Sequence, residues 1–123
     1  MKIIEAISAV DSARTNLIPQ DTKIAWLSLL DGRLKAEVID THEGGEEAVF
    51  NGYGSDTPLD TELLIKAPYD SVYLSWLEAK IDYTLNDYQR YANSCEVFEN
   101  DYKAAVNAYN RAHRSKRIRV KYF

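Results

Sequence analysis

Residues 87–113 read DYQRYANSCEVFENDYKAAVNAYNRAH, and within them Tyr88, Tyr91, Cys95, Phe98, Tyr102, Ala105, Tyr109 and Ala112 recur at strict intervals of three and four. It is the strongest pattern in the chain. That spacing brings all eight side chains to one face of an α-helix. At 1.5 Å per residue the helix would be roughly 40 Å long. A ridge with a 3.5-residue repeat calls for a helical partner along its length.

The segment before it supplies part of that partner. Tyr69, Val72, Trp76, Ala79 and Tyr83 form one helical stripe, and Tyr73, Leu77, Ile81 and Leu85 form a second beside it. So broad an apolar face predicts a central helix buried from two sides. Pro68 suits its first turn, with Asp70 near the positive end of its dipole. Asn86 and Gln89 have capping-box spacing for the start of the last helix. The central helix is too short to cover the whole ridge, so the remainder is expected to meet the second helix or another subunit.

Further upstream, Ile3, Ile7 and Val10 share one face of a short first helix. After Pro19, Asp21 and Thr22 are expected to cap a second helix, along which Ile24, Leu27, Leu30, Leu34 and Val38 keep helical spacing. Gly32 in its interior costs about 1 kcal/mol relative to Ala, which points to a close neighbour or a weak bend. Residues 43–68, EGGEEAVFNGYGSDTPLDTELLIKAP, hold four glycines and two prolines, the chemistry of a loop. Within it Ala48-Val49-Phe50 before Asn51-Gly52 predicts a small hairpin, and Leu63-Leu64-Ile65 a short strand. Beyond Ser115, Ile118, Val120 and Tyr122 alternate with Arg117, Arg119 and Lys121, the period of a strand, which needs an edge to pair with.

The expected fold is therefore all-α: a single four-helix domain with a minor β component. Its segments are a helix over 1–14, a second over 21–41, a long loop over 42–67, a third helix over 68–85, a fourth over 86–114, and a basic tail over 115–123. With 123 residues and 14.1 kDa there is no room for two independent catalytic domains. Apolar residues make up 46% and charged residues 28%, which excludes disorder and collagen-like structure and fits a soluble intracellular product. No apolar run approaches the ~18 residues that cross a bilayer, so no membrane role is expected.

Charge is unevenly placed. Residues 1–110 carry 9 Lys+Arg against 19 Asp+Glu, whereas residues 111–123 carry six basic residues and no acid. An acidic body repels phosphate and makes a poor general nucleic-acid binder. The basic end has three readings: contact with an acidic protein surface, a solvated terminus, or contact with DNA.

No arranged chemistry emerges. His42-Glu43-Gly44-Gly45-Glu46 begins like a zinc-protease motif but ends in Glu where a second His is required. Gly52-Tyr53-Gly54 lacks the third glycine of a nucleotide loop, and Gly44-Gly45 is followed by acids. Glu46 and Glu47 read as a solvated acidic loop, since no apolar wall is implied beside them. The lone cysteine, Cys95, excludes an internal disulfide and sits on the apolar seam with no His or Lys adjacent to activate it. His113 reads as a surface residue, and no Ser, His and acid form a triad. No catalytic residue, metal or cofactor is expected. The nine tyrosines read equally as core packing with rim hydroxyls and as protein-contact surface.

Several segments together carry a resemblance. Trp26-Leu27 with Leu30-Asp31-Gly32-Arg33, Thr41-His42-Glu43-Gly44, Leu59-Asp60-Thr61-Glu62-Leu63-Leu64, Ala67-Pro68-Tyr69-Asp70, Tyr73, Tyr91-Ala92-Asn93, Phe98, Tyr102 and Tyr109-Asn110-Arg111-Ala112-His113-Arg114 resemble small proteins of the head-to-tail gene blocks of tailed phages and prophages of Gram-positive bacteria. The similarity spans almost the whole chain, and none of its segments is a catalytic signature. These proteins look like members of the broader head–tail connector, or adaptor, group. The resemblance implies a non-enzymatic virion assembly subunit that forms a homo-oligomeric ring between portal and tail-side proteins. It would act in the host cytoplasm during assembly and in the virion neck, with at most transient, non-specific DNA contact. A ring subunit needs two complementary surfaces. The candidate interface residues are Arg114, Lys116, Arg117, Ile118, Arg119, Val120, Lys121 and Tyr122 in the tail, and Val49, Phe50, Tyr53, Leu63, Leu64 and Ile65 in the loop. The rival reading is a small prophage-encoded regulatory or DNA-binding module that uses the Arg-rich C-terminus.

Overall fold

The computed structural model describes residues 1–42 and 49–113. The expected tail strand, the Glu46/Glu47 pair and the Ala48 end of the expected hairpin lie outside them. The described chain is all-α: α1 (Ile3–Ala13), α2 (Gln20–Glu37), α3 (Val72–Thr84) and α4 (Tyr88–Ala112), with one-turn 3-10 helices at Ile39–Thr41 and Tyr69–Ser71. In α1, Ile3, Ala6, Ile7 and Val10 are buried, one stripe at helical spacing. The Lys2 amide donates to the Glu5 carboxylate at 2.8 Å and closes the first turn.

The second helix does not begin at the expected cap. It starts at Gln20, directly after Pro19, whose carbonyl accepts from Thr22 N at 3.1 Å, so Asp21 and Thr22 lie inside the first turn. Its buried face runs through Ile24, Leu27, Leu30, Asp31 and Leu34 and continues into Val38. A Cβ on Gly32 would stand 3.6 Å from the Phe50 ring, so the glycine has a close neighbour at ordinary packing distance.

The central helix is shorter than its apolar stripes. Pro68 follows a cis peptide bond and precedes the 3-10 turn, and α-helix begins only at Val72. Asp70 stands 3.6 Å from the Met1 ammonium. The helix packs against α1, α2 and α4, with Val72, Tyr73, Leu77 and Ile81 fully buried. Full burial of such side chains contributes about 1.5–3 kcal/mol each.

The break between α3 and α4 also differs from the capping-box expectation. Asn86 takes a left-handed conformation (φ 61°), the Asn86 amide donates to Tyr83 O at 3.1 Å, and the Asp87 amide donates to Asp82 O at 3.0 Å. This is a Schellman stop, in which Asn replaces the usual glycine. Asp87 is then the N-cap of α4, its carboxylate accepting from Arg90 N at 3.2 Å.

The middle segment is not plain loop, and its predicted strands are absent among the described residues. Among the described residues Glu62 forms an antiparallel bridge with Lys2, flanked by Ile3 N to Thr61 O at 3.0 Å and Leu63 N to Met1 O at 2.9 Å. The hairpin pattern loses to Gly52, whose φ of 85° turns the chain back toward α2. Residues 49–67 form a strap whose Leu63 and Ile65 complete the common core.

Candidate functional site

The strap is held by one carboxylate. Asp31 lies on the apolar stripe of α2 and is wholly buried. It accepts from Tyr53 Oη at 2.5 Å, Tyr73 Oη at 2.6 Å and Leu64 N at 3.1 Å. Tyr73 Oη in turn accepts from Ile65 N at 2.7 Å. Helix α2, helix α3 and two points of the strap therefore converge on a single side chain. Burial raises the Asp31 carboxyl above its ordinary value, opposed by the three donors, and burial beside that carboxylate pushes both phenols up. With three donors on it and no solvent contact, this carboxylate acts as an anchor.

A second buried carboxylate joins α1, α3 and α4. Asp82 accepts from Ser94 Oγ at 2.6 Å and from Arg14 Nε at 3.2 Å, and Arg14 also reaches Glu78 at 3.4 Å. One helical stripe away, Ser75 Oγ donates to Asp101 at 2.9 Å. Lys23, almost fully buried, reaches Asp11 at 2.6 Å. These bonds fix the register of the helices around the core.

Two surface features stand apart from the polar network. At the α3–α4 corner, Tyr83, Leu85 and Tyr88 are 57%, 52% and 59% exposed. Tyr83 packs on Tyr88 and Tyr91 with ring centroids 6.1 and 5.1 Å apart. Behind them is a recess of about 280 Å³ walled by Trp76, Lys80, Tyr91, Cys95 and Phe98, in which the Lys80 ammonium caps the Trp76 ring at 4.5 Å. At the opposite end of α4 an apolar groove of about 250 Å³ lies between the end of α2, the strap and the last turns of α4.

The eight-residue ridge of α4 is divided between interior and surface. Phe98 and Ala105 are buried, while Tyr91, Cys95, Tyr102 and Tyr109 are half-buried. Its C-terminal half meets the second helix and the turn after it, as the short central helix requires. The Arg33 guanidinium lies 4.7 Å over the Tyr102 ring, and the Tyr109 ring meets His42 edge-on at 5.0 Å. His42 Nδ1 is 2.7 Å from the Val38 carbonyl oxygen, so this buried histidine closes the end of α2.

The loop half of the expected interface is mostly interior. Leu63 and Ile65 are buried in the core, Leu64 is half-buried with its amide on Asp31, and Tyr53 spends its hydroxyl on the same carboxylate. Their apolar character serves this chain's own packing. Phe50 is half-buried edge-on against Tyr53, and Val49, at 76% exposure, alone among the six faces outward freely. The tail half, Arg114, Lys116, Arg117, Ile118, Arg119, Val120, Lys121 and Tyr122, lies outside the described residues.

Asp31 and Asp82 were legible only indirectly. Asp31 falls at i+4 from Leu27 and three before Leu34, and Ser75 and Asp82 share one side of α3, so polar residues at apolar register were the available signal. Among the described residues no three His, Cys, Asp or Glu side chains are grouped to hold a metal, and no helix is long and apolar enough to cross a membrane. No protein-family model, curated protein or solved structure matches the chain.

Proposed function

We propose that this chain is a non-enzymatic assembly protein of a tailed phage, a head–tail connector subunit that joins a ring between portal and tail. The observation that carries the proposal is the α3–α4 corner, where Tyr83, Leu85 and Tyr88 stand exposed around an aromatic recess. Exposed apolar patches of this kind mark protein-contact sites, and tyrosine supplies contact area with one polar handle. The resemblance of its sequence segments supplies the setting. The buried carboxylates support the reading from the other side, because their donors hold them in structural bonds. The acidic body, 19 Asp+Glu against 9 Lys+Arg in residues 1–110, suits a conduit that should not retain DNA.

The test is to mix the purified chain with a portal protein of a tailed phage of Gram-positive bacteria and inspect the product by electron microscopy and light scattering. Ring-shaped complexes on the portal are expected, with negligible affinity for short duplex DNA. A chain that ignores the portal and binds duplex DNA tightly, with steep salt dependence, would instead be the regulatory module that its Arg-rich end allows.

A further inference from the structure

Among the described residues no acid lines the apolar groove at the C-terminal end of α4. Its aliphatic walls include Leu34, Ile39, Leu64 and Ala108, and Lys66 of the strap is its cation. Arg111, three residues on from Ala108, reaches across to the turn before α3 and donates to the hydroxyl of Tyr69, itself a lining residue, at 3.3 Å. The acids on the neighbouring elements are engaged elsewhere: Glu37 with Arg33 at 3.0 Å, Asp40 with Lys35, and Asp70 with the Met1 ammonium at 3.6 Å. Among the described residues neither Lys66 nor Arg111 has a carboxylate partner. We infer that this groove receives an acidic, aliphatic segment of a partner protein, one in which Leu, Ile or Val stands beside Asp or Glu. The inference concerns the end of α4 opposite the exposed corner and does not rest on the connector reading.

Charge and size choose the occupant. Residues 1–110 carry 19 Asp+Glu against 9 Lys+Arg, so an apolar slot flanked by two cations without carboxylates reverses the local sign, and its complement is negative. Arg111 gives one of its five N–H donors to Tyr69, and the rest of the guanidinium fork suits a carboxylate. The aliphatic walls, with the small side chains of Ala105 and Ala108 leaving the space between them, call for aliphatic groups beside that charge. The size of the groove decides between a free small molecule and a protein segment. Its volume of about 250 Å³ falls below the roughly 300–1,000 Å³ of pockets that enclose small ligands, and it lies open on one side. A small carboxylate would stay largely wet there, whereas a segment whose backbone remains outside can insert its aliphatic side chains and set its carboxylates against Lys66 and Arg111.

The test pans a yeast-displayed library of random peptides against the full-length chain and measures the selected sequences, as synthetic peptides, by fluorescence anisotropy. Sequences with Leu, Ile or Val beside Asp or Glu are expected. Their affinity should fall about tenfold for the double variant Lys66→Glu with Arg111→Glu, two exposed positions outside the core. Ala108→Phe, which fills the groove, should weaken binding without altering a charge, and a circular-dichroism spectrum like the parent's shows that each variant is folded. In the isotope-labelled parent, bound peptide should shift the amide resonances of Leu64, Lys66 and Ala108 and leave those of Tyr83, Leu85 and Tyr88 in place. Selection of basic or uncharged sequences would overturn the inference, as would a library that yields no binder. Acidic peptides that bind the double variant as tightly as the parent, or that shift only the corner amides, would overturn it too. Decanoate that shifts the groove amides at lower concentration than any selected peptide would make the groove a site for small carboxylates and sink the choice of occupant.

Discussion

Asp31 concentrates more of the fold than any other side chain, because three donors from α3 and the strap end on it where no water reaches. Replacing it by Leu leaves the buried Tyr73 hydroxyl and the Leu64 amide without their acceptor, and should cost about 3 kcal/mol in urea denaturation. Tyr53→Phe removes one donor from a half-buried position and should cost about 1 kcal/mol. The pH dependence has a definite sign. Burial raises the folded-state value of Asp31 above the ordinary 3.8, so the native state holds this proton more tightly than the unfolded chain. The contribution of Asp31 to stability is then fully present below the unfolded value. It falls as pH rises through the window between the unfolded and folded values and is constant above it. Denaturation midpoints of the parent and of Asp31→Asn, measured across that window, should differ in slope there and run parallel at higher pH.

At the scale of elements, the α3–α4 hairpin depends on its stop. Asn86 holds a left-handed conformation that a β-branched residue resists, so Asn86→Val should lower stability by about 1–2 kcal/mol, whereas Asn86→Gly should be neutral or mildly stabilising. Thermal unfolding of the two variants reads the contrast directly. The same hairpin shows what sequence periodicity resolves. The ridge of α4 and the twin stripes of α3 are local patterns, repeated every three or four residues, and they located both helices to within a few residues. The strap at residues 49–67 has no such repeat. It is ordered by partners 22 to 61 residues distant, Tyr53 and Leu64 on Asp31 and Glu62 on the Met1 ammonium, so its glycines and short apolar runs pointed to hairpin and interface. The two exposed aromatic residues at the corner were legible as apolar positions, Tyr83 on a stripe of α3 and Tyr88 on the ridge of α4. That Tyr83 and Tyr88 face outward follows from where α3 stops and α4 turns, which the stripes alone do not encode.

For the whole molecule, the polar anchors and the exposed corner make separable demands. The anchors draw α1, α2, α3 and the strap into one core, and the corner lies beyond it at the tip of the α3–α4 hairpin. A double substitution Tyr83→Ser with Tyr88→Ser removes the outward rings and the 6.1 Å contact between them, yet leaves Asp31 and Asp82 with their partners. Its cost to stability should be about 1–2 kcal/mol, because both rings are more than half exposed and what is lost is their contact with each other and with Tyr91. Portal association, read by light scattering and electron microscopy, should nevertheless be lost. Tyr53→Phe provides the opposite control, with a comparable stability loss inside the strap and intact association. If the corner variant assembled as well as the parent while Tyr53→Phe failed, contact would depend on the strap, and the exposed rings would be surface without a partner.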